Sequence, residues 1–195
     1  MNAYEAIITR RSTRNYKPLM VEEEKLEKII HAGRMAPSGG NSQSCHFFVI
    51  RDPEVIQTLV RLAEAAFAKM EVQEDTYASL KNSIIRSKKG GYVFCYNAPV
   101  LVVVANQKDY GNNLADTAAA IENMMIEANE LDLGSCYINQ LRWLNEEPSL
   151  VSYMQSLGMK EHERVFGSVI LGYAADGLPV RTPLERTGNE VTYIG

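Results

Sequence analysis

The chain has 195 residues, a formal net charge of −4 and 46% hydrophobic residues. That length suits one domain with a sizeable core, expected to span residues 1–195 as a single unit, and the slight acidic excess argues against tracking a nucleic-acid backbone. The longest apolar run, near residues 99–105, falls far short of the ~20 residues a spanning helix needs, and no basic flank, apolar run and small-residue cleavage site follow Met1, so a cytoplasmic protein is expected.

Tyr4, Ile7 and Ile8 share a face at helical spacing and predict a short helix over residues 2–9. It runs into Arg10, Arg11, Ser12, Thr13 and Arg14, three guanidinium groups and two hydroxyls that call for an anion. A helix C-terminus accommodates Arg10 and Arg11 electrostatically, but Arg14 lies beyond that explanation. Glu22, Glu23 and Glu24 precede Leu26, Ile29 and Ile30, an acidic first turn followed by an apolar stripe, and Pro37 is expected to stop this second helix. The stretch Pro37-Ser38-Gly39-Gly40-Asn41-Ser42-Gln43 then has the chemistry of a loop that wraps a polar ligand. Together with the arginines it points to a phosphate-bearing ligand with a second, planar polar part.

Residues 45–51 are aromatic and β-branched and read as a strand, closed by Asp52-Pro53 and followed by a helix with Val55, Leu59, Leu62 and Ala66 inward. Residues 71–91 are polar and weakly periodic, and predict helix and mobile loop over a site. Residues 100–105 form a continuous apolar run suited to a strand buried on both faces. Residues 114–131 form the longest helical pattern, with Ala115, Ala118, Ala119, Ile121, Met124, Met125 and Ala128 covering most of its circumference, as in a core or subunit-interface helix. A strand over 135–138, a helix over 146–157 and a strand over 164–173 complete the pattern. The tail beyond Gly177, with Pro179 and Pro183, cannot build a core alone and must lie on another surface.

Cys45, Cys95 and Cys136 are odd in number, scattered and never in C-x-x-C, so they read as small buried residues in or beside strands. His31, His46 and His162 lack helical i, i+4 partners, and no metal is expected. Neither G-x-G-x-x-G after a strand nor G-x-x-x-x-G-K-[ST] occurs.

The order Arg-Arg-Ser-x-Arg, amphipathic helix, Ala36-Pro37-Ser38-Gly39-Gly40-Asn41-Ser42-Gln43 and aromatic strand resembles the nitroreductase family of flavin mononucleotide (FMN) enzymes. Asn97-Ala98-Pro99 with its apolar strand, Leu131-Asp132-Leu133-Gly134-Ser135-Cys136-Tyr137, and Gly172-Tyr173 with Pro179-x-Arg181-x-Pro183-Leu184-Glu185 extend the resemblance over nearly the whole chain. It implies an α+β fold, a mixed, mostly antiparallel sheet wrapped by helices, in an intertwined homodimer with the C-terminal tail exchanged and two flavins at the interface. By the same resemblance, Arg10 and Ser12 match phosphate ligands with Arg11 and Arg14 beside them, and Arg181 completes the cluster. Pro37, Ser38, Gly39 and Asn41 resemble the segment that the neighbouring subunit lays along the flavin. Asn139 and Gln140 match positions whose backbone N–H groups face N5 and O4 of the ring. Ser44-Cys45 stand where the family often has Pro-Trp, and Gln140 where some members have glycine.

The implied activity is hydride transfer from NADH or NADPH to a small acceptor, a nitroaromatic, quinone or other unsaturated compound, in ping-pong order. With flavin N5 as the reactive atom, no catalytic side chain is required. Lys69 is a candidate for the donor near N1 and O2. The alternatives are a specialised branch of the fold, reductive dehalogenase-like or flavin-fragmenting, and a non-catalytic flavin-binding or storage protein.

Overall fold

A computed structural model describes residues 1–175, 182–183 and 185–195. Helix α1 (Ala3–Thr9) starts where the Asn2 side chain accepts from the Glu5 backbone N–H at 2.9 Å and the Glu5 carboxylate accepts from the Asn2 N–H at 3.1 Å, a reciprocal cap that satisfies two otherwise orphaned donors. Helix α2 (Glu23–Arg34) has acidic residues in its first turn and His31 and Arg34 in its last, matching the helix dipole. It ends three residues before Pro37, the expected stop, because a one-turn overlap of backbone hydrogen bonds at Met35 and Ala36 has already closed it.

Strand β1 (His46–Ile50) leads into α3 (Pro53–Lys69), where the Asp52 side chain accepts from Glu54 N–H at 2.8 Å and Pro53 occupies the first turn at no hydrogen-bond cost. The buried stripe of α3 is Ile56, Leu59, Val60, Ala63, Ala66 and Phe67. It is rotated from the expected one: Val55 and Leu62 are only half-buried, since Ile56, Val60 and Phe67 carry the apolar line nearest the sheet. The polar stretch contains α4 (Ala78–Lys89), which buries only Ser83, Ile84 and Ser87. That narrow face explains its weak periodicity.

Strand β2 (Val100–Gln107) is buried from Val100 through Asn106. Helix α5 (Asn113–Glu130), β3 (Gly134–Ile138), α6 (Gln140–Trp143), α7 (Pro148–Ser156) and β4 (Glu163–Gly172) follow. The sheet order is β1-β2-β4-β3 and every strand pair is antiparallel. A single parallel bridge from Ser12 to Ser135 adds the arginine segment outside β3 and makes the sheet mixed.

Alternation along β2 divides the core. Val100, Val102 and Val104 pack with α2 and α5 residues such as Leu26, Ile29, Ile121 and Met124, while Leu101, Val103 and Ala105 pack with Ile56, Leu59, Phe67, Leu141 and Met154 from the other layer. Each large side chain so buried contributes roughly 1.5–3 kcal/mol. The face of α5 away from the sheet is open: Ala115 is exposed and Ala118 and Ala119 are half-buried. Among the described residues, no helix is long and apolar enough to cross a membrane.

Candidate functional site

The sheet places the two sequence-predicted groups at opposite edges. The glycine-rich loop precedes β1 at one edge, whereas the arginine segment and Asn139-Gln140 lie beside β3 at the other, three strand spacings or ~14 Å away.

At the β3 edge, Thr13 N–H donates to Ser135 O at 2.8 Å and registers the arginine segment against the strand. Cys136 is buried there, with the Ser12 hydroxyl and the charges of Arg14 and Arg10 around it. Burial pushes its thiol pKa up, and those cations and the Ser12 hydrogen bond only partly oppose the shift. Arg10 Nε lies 3.5 Å from Glu122 Oε1. Arg11 takes a different role: its guanidinium donates to the carbonyls of Ile8, Arg10 and Thr182, holding the end of α1 and one point of the tail.

Next to this segment opens a cavity of about 380 Å³ bounded by Arg14, β3 from Cys136 onward, Asn139 and Gln140 at the start of α6, Trp143, and Tyr77, Ser79, Asn82 and Arg86 from α4 and its lead-in. Tyr92 and Tyr96 also line it. Among the described residues, the lining holds five aromatic residues and two arginines but no carboxylate, in a protein of net charge −4. Gln140 Nε2 donates to Tyr92 Oη at 3.0 Å, and the same hydroxyl meets Ser83 Oγ at 2.9 Å. Burial raises the Tyr92 pKa, so its phenol stays a neutral hydrogen-bonding group. Gln140 Oε1 is buried with no hydrogen-bond partner among the described residues.

The loop at the other edge is internally built. Gly40, Asn41 and Gln43 have φ of +58°, +56° and +50°. Ser38 Oγ accepts from Gln43 N–H at 3.0 Å, and Gly39 N–H reaches both oxygens of the buried Asp116 carboxylate on α5. Tyr110 Oη bridges Gly39 O at 2.9 Å and Asp116 Oδ2 at 3.0 Å. A Cβ on Gly39 would fall 2.1 Å from Asn112 Nδ2 and 2.4 Å from Tyr110 Oη, so this position admits no side chain without displacing them. Pro37 and Ser38 line a second cavity of about 220 Å³ with Asp116 and Cys45. Cys45 is half-buried, a departure from the expected buried thiol, because it stands at the loop's exit ahead of β1.

The structure therefore brings Arg10, Ser12, Arg14, Asn139 and Gln140 to one edge and Pro37, Ser38, Gly39 and Asn41 to the other. Arg181 lies outside the described residues. Lys69 sits exposed in the last turn of α3 and does not line the cavity. Asp116, Tyr110, Tyr92, Arg86 and Trp143 were not singled out from the sequence. The spacing Ser79, Asn82, Arg86, one helical face of polar residues, was the available signal for the α4 wall.

The family model described as Nitroreductase family matches residues 7–173. The chain belongs to the nitroreductase family. Family members of known structure superimpose closely: a nitroreductase with bound FMN from Bacteroides fragilis is 32% identical, with each chain covered over 100% of its length and a TM-score of 0.86. A nitroreductase with bound FMN from Desulfitobacterium hafniense is 26% identical over 100% of both chains, TM-score 0.83. A family relative from Archaeoglobus fulgidus named NADH dehydrogenase/NAD(P)H nitroreductase is 31% identical over 175 residues, covering 87% of this chain and 84% of its own.

Proposed function

We propose that this protein is an FMN-dependent oxidoreductase that takes electrons from NADH or NADPH and passes them, in ping-pong order, to a small nitroaromatic, quinone or other unsaturated acceptor. The observation that carries this reading is the aromatic cavity, carboxylate-free among the described residues, that is lined by Arg14 of the arginine segment and by Asn139 and Gln140 at the start of α6. Such a lining fits FMN: forked guanidinium donors suit a phosphate dianion, and helix-start N–H groups, which lack intrahelical partners, suit ring carbonyls and nitrogens. The orphaned Gln140 Oε1 offers an acceptor to a ligand N–H.

Arg10, Ser12 and Arg14 would hold the phosphate, with Arg11 fixing the segment and Arg181 joining from the tail. Asn139 and Gln140 would hold the ring edge. When bound, FMN supplies the hydride-accepting centre, which accounts for a site without a nucleophile or paired carboxylates. With a nitroaromatic, each cycle consumes one NAD(P)H and one proton, and converts nitro to nitroso with release of one water.

The protein works as a homodimer, on our reading, because Pro37, Ser38, Gly39 and Asn41 stand at the edge remote from the cavity and only a second copy would bring them to it. Exposed Tyr4 and Ile7, and exposed Val191, Tyr193 and Ile194 in the tail, are apolar surface that such an exchange would cover. Residues 1–195 then act as one FMN-binding domain, in the cytoplasm, where the free thiols Cys45, Cys95 and Cys136 suit a reducing compartment.

The test is a spectrum of the purified protein followed by anaerobic mixing with NADH or NADPH. Flavin absorbance that bleaches within seconds and returns on adding a quinone is the expected result. Persistent colour would identify a flavin-binding protein without turnover, and a colourless monomer that ignores added FMN would end the reading altogether.

A further inference from the structure

The cavity is longer in chemistry than a phosphate site and a ring platform require. Its α4 wall presents Ser79, Asn82 and Arg86 on one helical face. The Arg86 guanidinium lies over the Tyr92 ring at 5.2 Å, a cation–π contact between two residues of the lining. No carboxylate pairs with Arg86 among the described residues, although Lys88, two residues on, is paired with Glu71 at 2.7 Å. The neighbouring rim is aromatic: Tyr77 meets Trp143 edge-on with ring centroids 6.2 Å apart, and Trp143 meets Phe67 at 6.5 Å beneath.

We propose that Arg86 selects electron acceptors carrying an anionic group on an aromatic ring, with Tyr77 and Trp143 bounding the ring and Arg86 pairing the anion. The proposal rests on the oxidoreductase reading above and names the substrate class of that site. Two features of the lining favour it. Among the described residues, Arg14 and Arg86 are the charged side chains of the lining and belong to different walls, one on the arginine segment and one on α4, so a phosphate held at the arginine segment leaves Arg86 to a second anion. A guanidinium already stacked on a ring also loses less freedom on binding than an extended one, which favours a directed charge-assisted pair.

The experiment compares 4-nitrobenzoate with 4-nitrobenzamide, acceptors of nearly equal shape that differ in charge, using FMN-loaded protein and saturating NADH. The intact protein is expected to show a kcat/KM about tenfold higher for the benzoate, the scale of one good charge-assisted contact. In Arg86→Gln the ratio should fall to about one, and in Arg86→Lys it should be partly kept, with the amide normalising each variant for folding and flavin loading. Equilibrium titration of the same proteins with benzoate and benzamide, followed by the fluorescence of Trp143, the single tryptophan of the chain, should show the same loss of charge preference.

An intact protein that does not distinguish the two acceptors overturns the proposal, as does a ratio that survives in Arg86→Gln. A raised KM for NADH or NADPH in Arg86→Gln with the acceptor ratio unchanged would assign the arginine to the electron donor instead, and also overturns it. In all three cases continued reduction of nitrobenzamide leaves the oxidoreductase reading standing. If neither acceptor is reduced and NADH leaves the flavin oxidised, that reading fails and this one with it.

Discussion

Gly39 and Asp116 are 77 residues apart, yet the backbone N–H of the glycine donates to both carboxylate oxygens of the aspartate, at 3.2 and 3.3 Å. Asp116 is buried and also accepts from Tyr110 Oη and, at 3.5 Å, from Ser42 Oγ, so one α5 side chain meets the glycine-rich loop at two points. Replacing it with alanine leaves the half-buried Gly39 N–H without its acceptor, whereas Tyr110 Oη keeps Gly39 O. We expect Asp116→Ala to lose ~1 kcal/mol, the cost of an unpaired, partly buried donor, read as a lower urea midpoint. If the loop contacts flavin on a second copy, FMN release should quicken as well.

Gly134 begins β3 directly beneath Thr13, and a Cβ there would lie 2.6 Å from Thr13 Oγ1 and 2.8 Å from both Thr13 Cβ and Cγ2. Thr13 sits between Ser12 and Arg14 and is tied to Ser135 O. Gly134→Ala should therefore push the arginine segment off the strand, at an overpacking cost of ~1–3 kcal/mol. The checks are the thermal midpoint and FMN affinity by fluorescence quenching, both of which should fall.

Among the described residues, Arg10 is ion-paired only with the half-exposed Glu122, a contact of little stabilising value in water, and Arg14 has no carboxylate partner. Arg10→Gln and Arg14→Gln should each weaken FMN binding about tenfold or more, one charge-assisted hydrogen bond of ~1.5–3 kcal/mol, while the urea midpoint of the flavin-free protein stays nearly unchanged. Unaltered FMN affinity in both variants would remove the phosphate assignment.

Glu163 opens β4 nearly buried, 2.9 Å from His46 Nδ1 and from the Lys160 backbone N–H. Burial by itself pushes its pKa up, but the hydrogen bonds from His46 and Lys160, with their charges, outweigh it and hold the carboxyl below its ordinary value. A folded-state pKa below the unfolded one stabilises fully above the unfolded value of ~4.3. That contribution is lost as pH falls through the depressed folded value. Urea midpoints should thus drop below about pH 4, and Glu163→Gln should be less stable at pH 7 with a shallower acid decline.

Much of this architecture was legible in local pattern. The spacing of Tyr4, Ile7 and Ile8, the helix start at Asp52-Pro53 and the unbroken apolar run of β2 are signals carried within a few residues, and each element formed where they indicated. Residues 71–91 resisted reading because α4 buries so few side chains that its apolar period is faint. The inward face of α3 lies about one residue round from the expected one for a related reason: Val55, Ile56, Leu59, Val60 and Leu62 are all apolar, and only the approach of the sheet decides which of them face it.

The sequence by itself determined the family, the order of elements and the chemical character of the arginine segment and the glycine-rich loop, since these depend on residue type and short spacing. Tertiary structure alone decided that the two lie at opposite edges of the sheet, that Asp116 holds Gly39, and that α4 and α6 close an aromatic cavity with no acidic group. The physical reason is range. Propensity, capping and periodicity act within one or two turns, whereas strand order and helix packing are set by burying surfaces whose partners are a hundred residues away, as with Asn129 Nδ2 donating to Ala6 O across 123 positions.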